Sequence, residues 1–261
     1  MTTPAITGVS LRGSKGRYDE PLLLGPSLGT AAATVWGPAA PALDSRYRLL
    51  GWDLPGHGES APTTQPFSVA ELAQGVIAMA DAAGIDRFLY AGISLGGAVG
   101  LQLALDFPER VKGLAVVCAS PRFGVEEAWR ERARQVRASG TSSLVVGSAQ
   151  RWFAPDTVAQ QPEITSALLH GLASADDESY ALCCEALAVW DVRDRLGEIS
   201  APTIAIAGVH DQVSPPSDAE EMAGAVARGE AHSIPDASHL APAERPTEVA
   251  QRLDTFFGGI Q

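Results

Sequence analysis

Gly92-Ile93-Ser94-Leu95-Gly96 lies between the apolar run Phe88–Ala91 and the helix-like run Gly97–Leu105. A strand followed at once by a helix forces a sharp turn, and glycines on both sides of a serine remove side chains that would collide there. Such a turn places the hydroxyl of Ser94 in front of a helix N-terminus, whose N–H groups favour negative charge. The pattern predicts a nucleophilic serine, and a glycine-rich packing turn without chemistry is the alternative.

Short apolar runs alternate with helical patterns on both sides of this turn, which is typical of parallel strands joined by crossover helices. Ser68 and Glu71 have the spacing of a capping box, which predicts a helix that ends near Gly84. An amphipathic pattern predicts a last helix from about Thr247 to Phe257. The predicted strands are Leu22–Leu24, Tyr47–Trp52, Phe88–Ala91, Gly113–Cys118, Thr203–Ala207 and Ala231–Ile234.

The region from about 122 to 195 differs, because its pattern is helical and contains no convincing strand. We predict a core domain formed by residues 1–121 and 196–261, with residues 122–195 inserted as a helical cap. The core is of the α/β class, with a mostly parallel sheet and helices on both faces. Open parallel sheets bind ligands at the carboxyl ends of their strands, so we expect the cap to lie there.

Composition excludes several classes of protein. The 261 residues include 46% hydrophobic and 19% charged residues, which excludes a disordered or fibrous chain. The net charge of −12 disfavours nucleic acid and anionic membranes as partners. Cys118, Cys183 and Cys184 form neither a disulfide framework nor a metal-ligand spacing, so we expect buried thiols and no metal. With no signal-peptide pattern and no apolar run of about 18 residues, we expect a cytoplasmic protein.

A serine nucleophile needs a base and an acid that orients the base. His239 follows the last predicted strand, where a loop can bring it over Ser94. Asp211 follows the strand Thr203–Ala207 and is the predicted acid, while Asp236 is its competitor. Three of the remaining histidines are predicted to be structural: His57, His170 and His232. His210 comes before Asp211, whereas the base is expected to follow the acid in the chain.

Two backbone N–H groups are needed to stabilise an oxyanion. Leu95 supplies the group after the nucleophile. The second is expected in the loop Gly25–Thr30, where Pro26 has no N–H and the choice lies between Leu28 and Ser27. We favour Leu28.

Together these motifs resemble the α/β-hydrolase superfamily over the whole chain, and within it the 3-oxoadipate enol-lactonases of aromatic degradation. The segments that carry the narrower resemblance are Pro26–Thr30, Asp53–Gly58, Gly92–Gly97, Arg151–Phe153, Tyr180–Leu187 and Ser238–Leu240. Leu95 departs from the pattern, because many of these lactonases have Met there. We expect no carboxymuconolactone decarboxylase domain of the kind fused after the lactonase in some actinobacterial relatives.

The resemblance implies a cofactor-free serine hydrolase that opens 3-oxoadipate enol-lactone. The alternatives are a carbon–carbon bond hydrolase or a carboxylesterase, and a non-catalytic ligand receptor. A small anionic lactone would need a cation in this acidic protein, and the cap is where basic residues concentrate. The predicted substrate contacts are Arg132 with Trp129, or Arg151 with Trp152. Another arginine of the cap, or an ordinary solvated helix face without a substrate contact, is the alternative. The oligomeric state is left open.

Overall fold

A seven-stranded sheet organises residues 3–11 and 20–260, which are the part of the chain that this computed structural model describes. Its strands are β1 (Thr7–Ser10), β2 (Pro21–Gly25), β3 (Arg48–Asp53), β4 (Phe88–Ile93), β5 (Val111–Val117), β6 (Thr203–Gly208) and β7 (Gly229–Ile234). In space the strands follow the order β1-β3-β2-β4-β5-β6-β7. All neighbours pair in parallel except β1, which runs antiparallel to β3. The predicted mostly parallel sheet is confirmed.

Twelve α-helices connect and cover the strands of the described residues. They are α1 (Ala32–Val35), α2 (Ala40–Leu43), α3 (Val69–Ala82), α4 (Leu95–Asp106), α5 (Glu126–Ser139), α6 (Val145–Trp152), α7 (Thr157–Gln160), α8 (Pro162–Ser174), α9 (Asp177–Val189), α10 (Pro216–Ala225), α11 (Ala241–Glu244) and α12 (Pro246–Gly258). Two 3₁₀ helices, Thr141–Leu144 and Arg193–Glu198, add to these. No helix in the described ranges is long and apolar enough to span a bilayer.

Both faces of the sheet are covered. Every residue of β4 and of β6 is buried, although successive side chains of a strand point to opposite faces. Among the helices that cover the sheet, α3 packs against α4, and α2 packs against α12. Strand β1 was not predicted from the sequence, because its four residues are mostly exposed and lack an apolar run.

The predicted helix after Ser68 is confirmed together with its capping box. Ser68 Oγ accepts a hydrogen bond from the N–H of Glu71, and Glu71 Oε2 accepts one from the N–H of Ser68 at 2.8 Å. Gly84 follows the helix end with φ +69°, a left-handed conformation that favours glycine.

Helices α5 to α9 all lie between β5 and β6, in the segment predicted as the cap. An isolated antiparallel bridge joins Arg122 to Asp191, and the N–H of Val192 donates to Pro121 O at 3.0 Å. The two ends of this segment therefore lie side by side. We call residues 122–195 the cap segment.

His57 lies at the contact between the core and the cap segment. Its side chain is buried, its Nδ1–H donates to Pro55 O at 2.8 Å, and its ring stacks on Tyr180 of α9 with centroids 6.0 Å apart. Burial lowers the pKa of His57 from 6.5 to about 4, against the opposing effects of the Pro55 carbonyl and the Asp176 carboxylate. This histidine is therefore neutral in the native state near neutral pH.

We expect the stability of the protein to fall as the pH is lowered from about 6.5 to about 4. In that window the unfolded state binds a proton at His57 that the native state does not, so the free energy of unfolding decreases. At about 1.4 kcal/mol for each pKa unit, the loss from this residue is roughly 3 kcal/mol. Denaturant unfolding of the wild type and of His57→Asn across this range measures it. Asparagine retains a donor for Pro55 O, and an equal pH slope in both proteins would contradict the prediction.

Candidate active site

Ser94 occupies a strained turn between β4 and α4. Its φ of +54° and ψ of −119° are rare for a residue with a side chain, and its N–H donates to Val117 O at 2.9 Å. A Cβ on Gly92 would collide with the carbonyl oxygen of Gly96, and a Cβ on Gly96 would lie 2.5 Å from the carbonyl carbon of Gly25. The turn exists because both positions lack a side chain.

The structure brings Ser94, His239 and Asp211 together in one chain of hydrogen bonds. The hydroxyl of Ser94 lies 2.9 Å from His239 Nε2, and His239 Nδ1–H donates to Asp211 Oδ2 at 2.9 Å. The other carboxylate oxygen of Asp211 accepts the N–H groups of Val213 at 2.8 Å and Ser214 at 3.1 Å. All three side chains are buried. The acid that contacts His239 is therefore Asp211.

The alternative residues lie away from this chain of hydrogen bonds. Asp236 is exposed, and neither oxygen of its carboxylate bonds His239. His210 is exposed beside the buried Asp211, and His232 is partly buried in β7. The sequence-based assignment of His170 as a packing residue is wrong, because its position on the outer surface of α8 leaves it exposed.

A close backbone approach explains how the loop of His239 reaches Asp211. A Cβ on Gly208, the last residue of β6, would collide with the carbonyl oxygen of Ser238. The N–H of His210 donates to Ala237 O at 2.9 Å, and the N–H of Asp211 donates to Gly208 O at 3.0 Å. The end of β6 and the loop after β7 are thus joined directly.

The loop after β2 faces the turn at Ser94. Pro26 O accepts the N–H of Gly96 at 2.9 Å, which ties this loop to the start of α4. The N–H groups of Ser27, Leu28 and Leu95 have no acceptor within hydrogen-bond distance in the described part of the chain. These groups are free to bind a ligand oxygen, and the choice between Leu28 and Ser27 stays a prediction.

The arginines of the cap segment divide into paired and unpaired groups. Arg130, Arg134 and Arg137 bond carboxylates on α5 or α9. Arg132 and Arg151 have no carboxylate within 4.0 Å among the described residues. Arg122, Arg193 and Arg195 also have carboxylate partners. The predicted substrate arginines are therefore the two arginines of the cap segment without a carboxylate partner among the described residues.

Arg132 and Arg151 lie close enough for their charges to interact. Burial and, after it, the positive charge of Arg132 lower the pKa of Arg151. Both guanidinium groups also act on the buried hydroxyl of Tyr180, whose pKa burial raises. Two neighbouring guanidinium groups without an acid can hold a carboxylate in bidentate geometry.

The two predicted tryptophans occupy different places. The guanidinium of Arg132 lies 5.3 Å from the ring centroid of Trp129, whose Nε1–H donates to Phe123 O at 2.7 Å. Trp152 is buried, and its Cη2 atom lies 3.3 Å from the position that a Cβ on Gly29 would occupy. Trp152 therefore packs on the loop that carries Leu28, and Trp129 fixes Arg132.

One buried residue in this region was missed by sequence reasoning. Glu244 lies five residues after His239 and bonds the backbone N–H of Ser238 at 2.8 Å. Its signal in the sequence is a carboxylate that directly follows the apolar stretch Leu240-Ala241-Pro242-Ala243.

Comparisons with known proteins agree with this geometry. Residues 20–246 match the family model described as alpha/beta hydrolase fold. The chain is 35% identical over 232 residues to 3-oxoadipate enol-lactonase 2 of Acinetobacter baylyi, covering 88% of this chain and 86% of the relative. It is 31% identical to the pimeloyl-[acyl-carrier protein] methyl ester esterase of Edwardsiella ictaluri, covering 94% and 95%. The crystal structure of the enol-lactonase from Burkholderia xenovorans LB400 superposes with a TM-score of 0.89, at 30% identity over 97% of this chain and 96% of that one. The predicted resemblance is confirmed.

The substitution Gly96→Ala tests the turn at Ser94. We expect it to lower the free energy of unfolding by about 1–3 kcal/mol or more, because the new methyl group meets the backbone of Gly25. Gly224→Ala on α10 is the matched control, since a Cβ there has no atom within 4 Å and helix propensity favours alanine by up to about 1 kcal/mol. Denaturant unfolding compares the two variants, and equal stability would contradict the assigned role of Gly96.

Proposed function

The chain belongs to the family of proteins with the alpha/beta hydrolase fold, and we propose that it is a serine hydrolase that opens 3-oxoadipate enol-lactone to 3-oxoadipate. The observation that carries this proposal is the chain of hydrogen bonds from Asp211 through His239 to Ser94. In this arrangement His239 can accept the proton of the Ser94 hydroxyl, and Asp211 holds His239 in one tautomer. The enol-lactonase of Acinetobacter baylyi at 35% identity supports the choice of substrate.

In the proposed reaction Ser94 Oγ attacks the lactone carbonyl carbon while His239 Nε2 takes the hydroxyl proton. The Asp211 carboxylate keeps the proton of His239 on Nδ1 and stabilises the imidazolium that forms. The N–H groups of Leu28 and Leu95 stabilise the negative charge on the carbonyl oxygen. No metal or cofactor takes part in these steps.

Ring opening leaves an enol that stays tethered to the acyl-enzyme. The imidazolium of His239 returns its proton to the departing oxygen, and tautomerisation to the ketone removes the nucleophile that could close the ring again. Water then attacks the acyl group on Ser94, with His239 as the base, and releases 3-oxoadipate. Ser94 and His239 end the cycle in their starting protonation states.

The unpaired arginines support an anionic substrate over a neutral one. The enol-lactone carries a free carboxylate, and a protein with a net charge of −12 repels it except near local cations. Arg132 and Arg151, with Trp129 and Trp152 beside them, are the proposed contacts for that carboxylate. Arginine presents two parallel donors to a carboxylate, which gives the bound carboxylate a defined orientation.

A carboxylesterase is the second candidate, because the chain is also similar to a methyl ester esterase. The hydrogen-bonded chain of Asp211, His239 and Ser94 serves both reactions equally well. Selectivity for a carboxylate-bearing lactone over neutral esters separates the two candidates. The proposed compartment is the cytoplasm, and the proposed partner is the small anionic lactone.

We expect Ser94→Ala to abolish hydrolysis of the enol-lactone while the protein stays folded. Removal of a member of such a triad typically costs several orders of magnitude in kcat. Asp211→Asn is expected to be severely impaired too, because His239 loses its acceptor, and Asp236→Asn is the matched control on the neighbouring loop. Turnover assays with enol-lactone and a panel of simple esters measure this. Retention of more than about a tenth of the activity in Ser94→Ala would overturn the mechanism.

Replacing the unpaired arginines is expected to remove selectivity for the anion. Arg132→Met and Arg151→Met each lower kcat/KM for the lactone by about tenfold to a hundredfold, the cost of a lost charged hydrogen bond. For a neutral ester of similar size we expect little change. Arg134→Met, at an exposed arginine paired with Glu127 and Glu131, is the control and should alter neither value. Equal losses on both substrates would indicate damage to the cap segment instead.

A further inference from the structure

Glu244 is a buried carboxylate that no part of the proposed mechanism uses. It ends α11, is 2% exposed, and has no cation within 4.0 Å of its carboxylate in the part of the chain that the structure describes. The nearby guanidinium of Arg245 donates to the backbone oxygen of Glu244 at 3.0 Å. A buried carboxylate without an ion pair is costly unless hydrogen bonds replace its lost hydration.

Three donors supply those hydrogen bonds, and they come from two different parts of the chain. Oε1 accepts the N–H of Ala154 at 2.7 Å and the hydroxyl of Thr157 at 3.0 Å, both in the cap segment. Oε2 accepts the N–H of Ser238 at 2.8 Å, on the loop of the catalytic histidine. The two oxygens therefore bridge the cap segment and the residue directly before His239.

Further hydrogen bonds join the same two stretches on both sides of His239. The N–H of Leu240 donates to Trp152 O at 3.2 Å, and Ser238 Oγ lies 3.3 Å from Arg151 O. Residues 238 and 240 are thus both fixed to the stretch 151–157. That stretch carries Arg151 and Trp152, the proposed contacts for the substrate. The base and part of the substrate site form one bonded unit.

We propose that Glu244 is a positioning residue that sets the place of His239 by joining its loop to the substrate side of the cap segment. The role assigned to His239 rests on the proposed function. All three partners donate, so the ionised carboxylate satisfies each of them as an acceptor. Charge assistance makes these three bonds stronger and shorter than bonds to a neutral acceptor.

Two opposing influences act on the pKa of Glu244, and burial is the larger. Burial raises the pKa of Glu244, while hydrogen bonds from the N–H groups of Ala154 and Ser238, the hydroxyl of Thr157 and the charge of Arg245 oppose that rise. The donors around the site are thus arranged to favour the charge that burial disfavours.

Glu244→Gln tests the proposal with little change in volume. In either orientation of the amide, its NH₂ group faces the N–H of Ser238 or of Ala154, so one backbone donor loses its acceptor. We expect kcat for both the lactone and a neutral ester to fall about tenfold to a hundredfold, because a small displacement of the base is costly. KM should stay within about threefold, since Ser94 and the arginines are unchanged. Gln161→Ala is the matched control, because the side-chain amide of Gln161 donates to the backbone oxygen of Glu244, at 3.2 Å, and not to its carboxylate.

Two measurements distinguish a positioning role of Glu244 from a loss of folded protein and from a wrong assignment of the substrate. Titration of Ser94 with a fluorophosphonate gives the active fraction, so kcat is expressed per reactive serine. The rate of phosphonylation reports the activation of Ser94 by His239 without any lactone, so it should fall in Glu244→Gln even if the enol-lactone proves not to be a substrate.

Wild-type values of kcat per reactive serine and of the phosphonylation rate in Glu244→Gln would overturn the proposal. Equal losses in Gln161→Ala would also overturn it, because they would assign the effect to general packing of the cap segment. If Glu244→Gln fails to fold, Glu244→Asp serves in its place. The shorter side chain retains the charge and cannot reach both stretches, so the same loss in kcat is expected, and an unchanged kcat there would overturn the proposal.

Discussion

The left-handed turn at Ser94 is the constraint on which the rest of the site depends. Strand β4 lies beside β2 at the point where the strand order reverses, because β2 leads to β3 on one side and β4 to β5 on the other. Open parallel sheets bind ligands at such a point. The turn packs directly against the end of β2, because a Cβ on Gly96 would lie 2.5 Å from the carbonyl carbon of Gly25, and Tyr90 Oη donates to Gly96 O at 2.8 Å. A strained residue costs about 1–3 kcal/mol, which the surrounding packing has to offset. The hydroxyl and the N–H groups of the two loops are fixed relative to one another as a result.

Hydrogen bonds to buried carboxylates hold the rest of the site together. Asp211 uses one carboxylate oxygen for His239 and the other for two backbone N–H groups, so its charge is fully coordinated. Glu244 does the same for the loop of His239 and the cap segment. Removing one donor from either carboxylate would lower the stability of the protein. A buried polar group that has given up its hydration and has no hydrogen-bond partner costs free energy. The site is consequently a network whose members fix one another.

The distribution of charge separates solvated arginines from those available to a ligand. Arg130, Arg134 and Arg137 lie on the same helix as Arg132, yet each of them bonds at least one glutamate. Such exposed ion pairs contribute little to stability, but they remove the free positive charge. Arg132, stacked on Trp129, retains its charge next to that of Arg151. In an acidic protein this local pair of cations supports the proposed preference for an anionic substrate.

The sequence by itself determined the features that depend on neighbouring residues. The glycines around Ser94, the capping box of Ser68 and Glu71 and the apolar runs of the central strands act within a few positions, so they could be recognised locally. The chain order also identified Asp211 and His239. Tertiary structure removed the competitor Asp236, and it alone decided which arginines stay unpaired and that Glu244 bridges the loop of His239 and the cap segment. Those outcomes depend on partners far away in sequence, such as Glu178 and Glu185 for Arg137, or Ala154 for Glu244. A hydrogen bond or ion pair forms only when the fold brings its two atoms within about 3–4 Å, and no local pattern of residues encodes that distance.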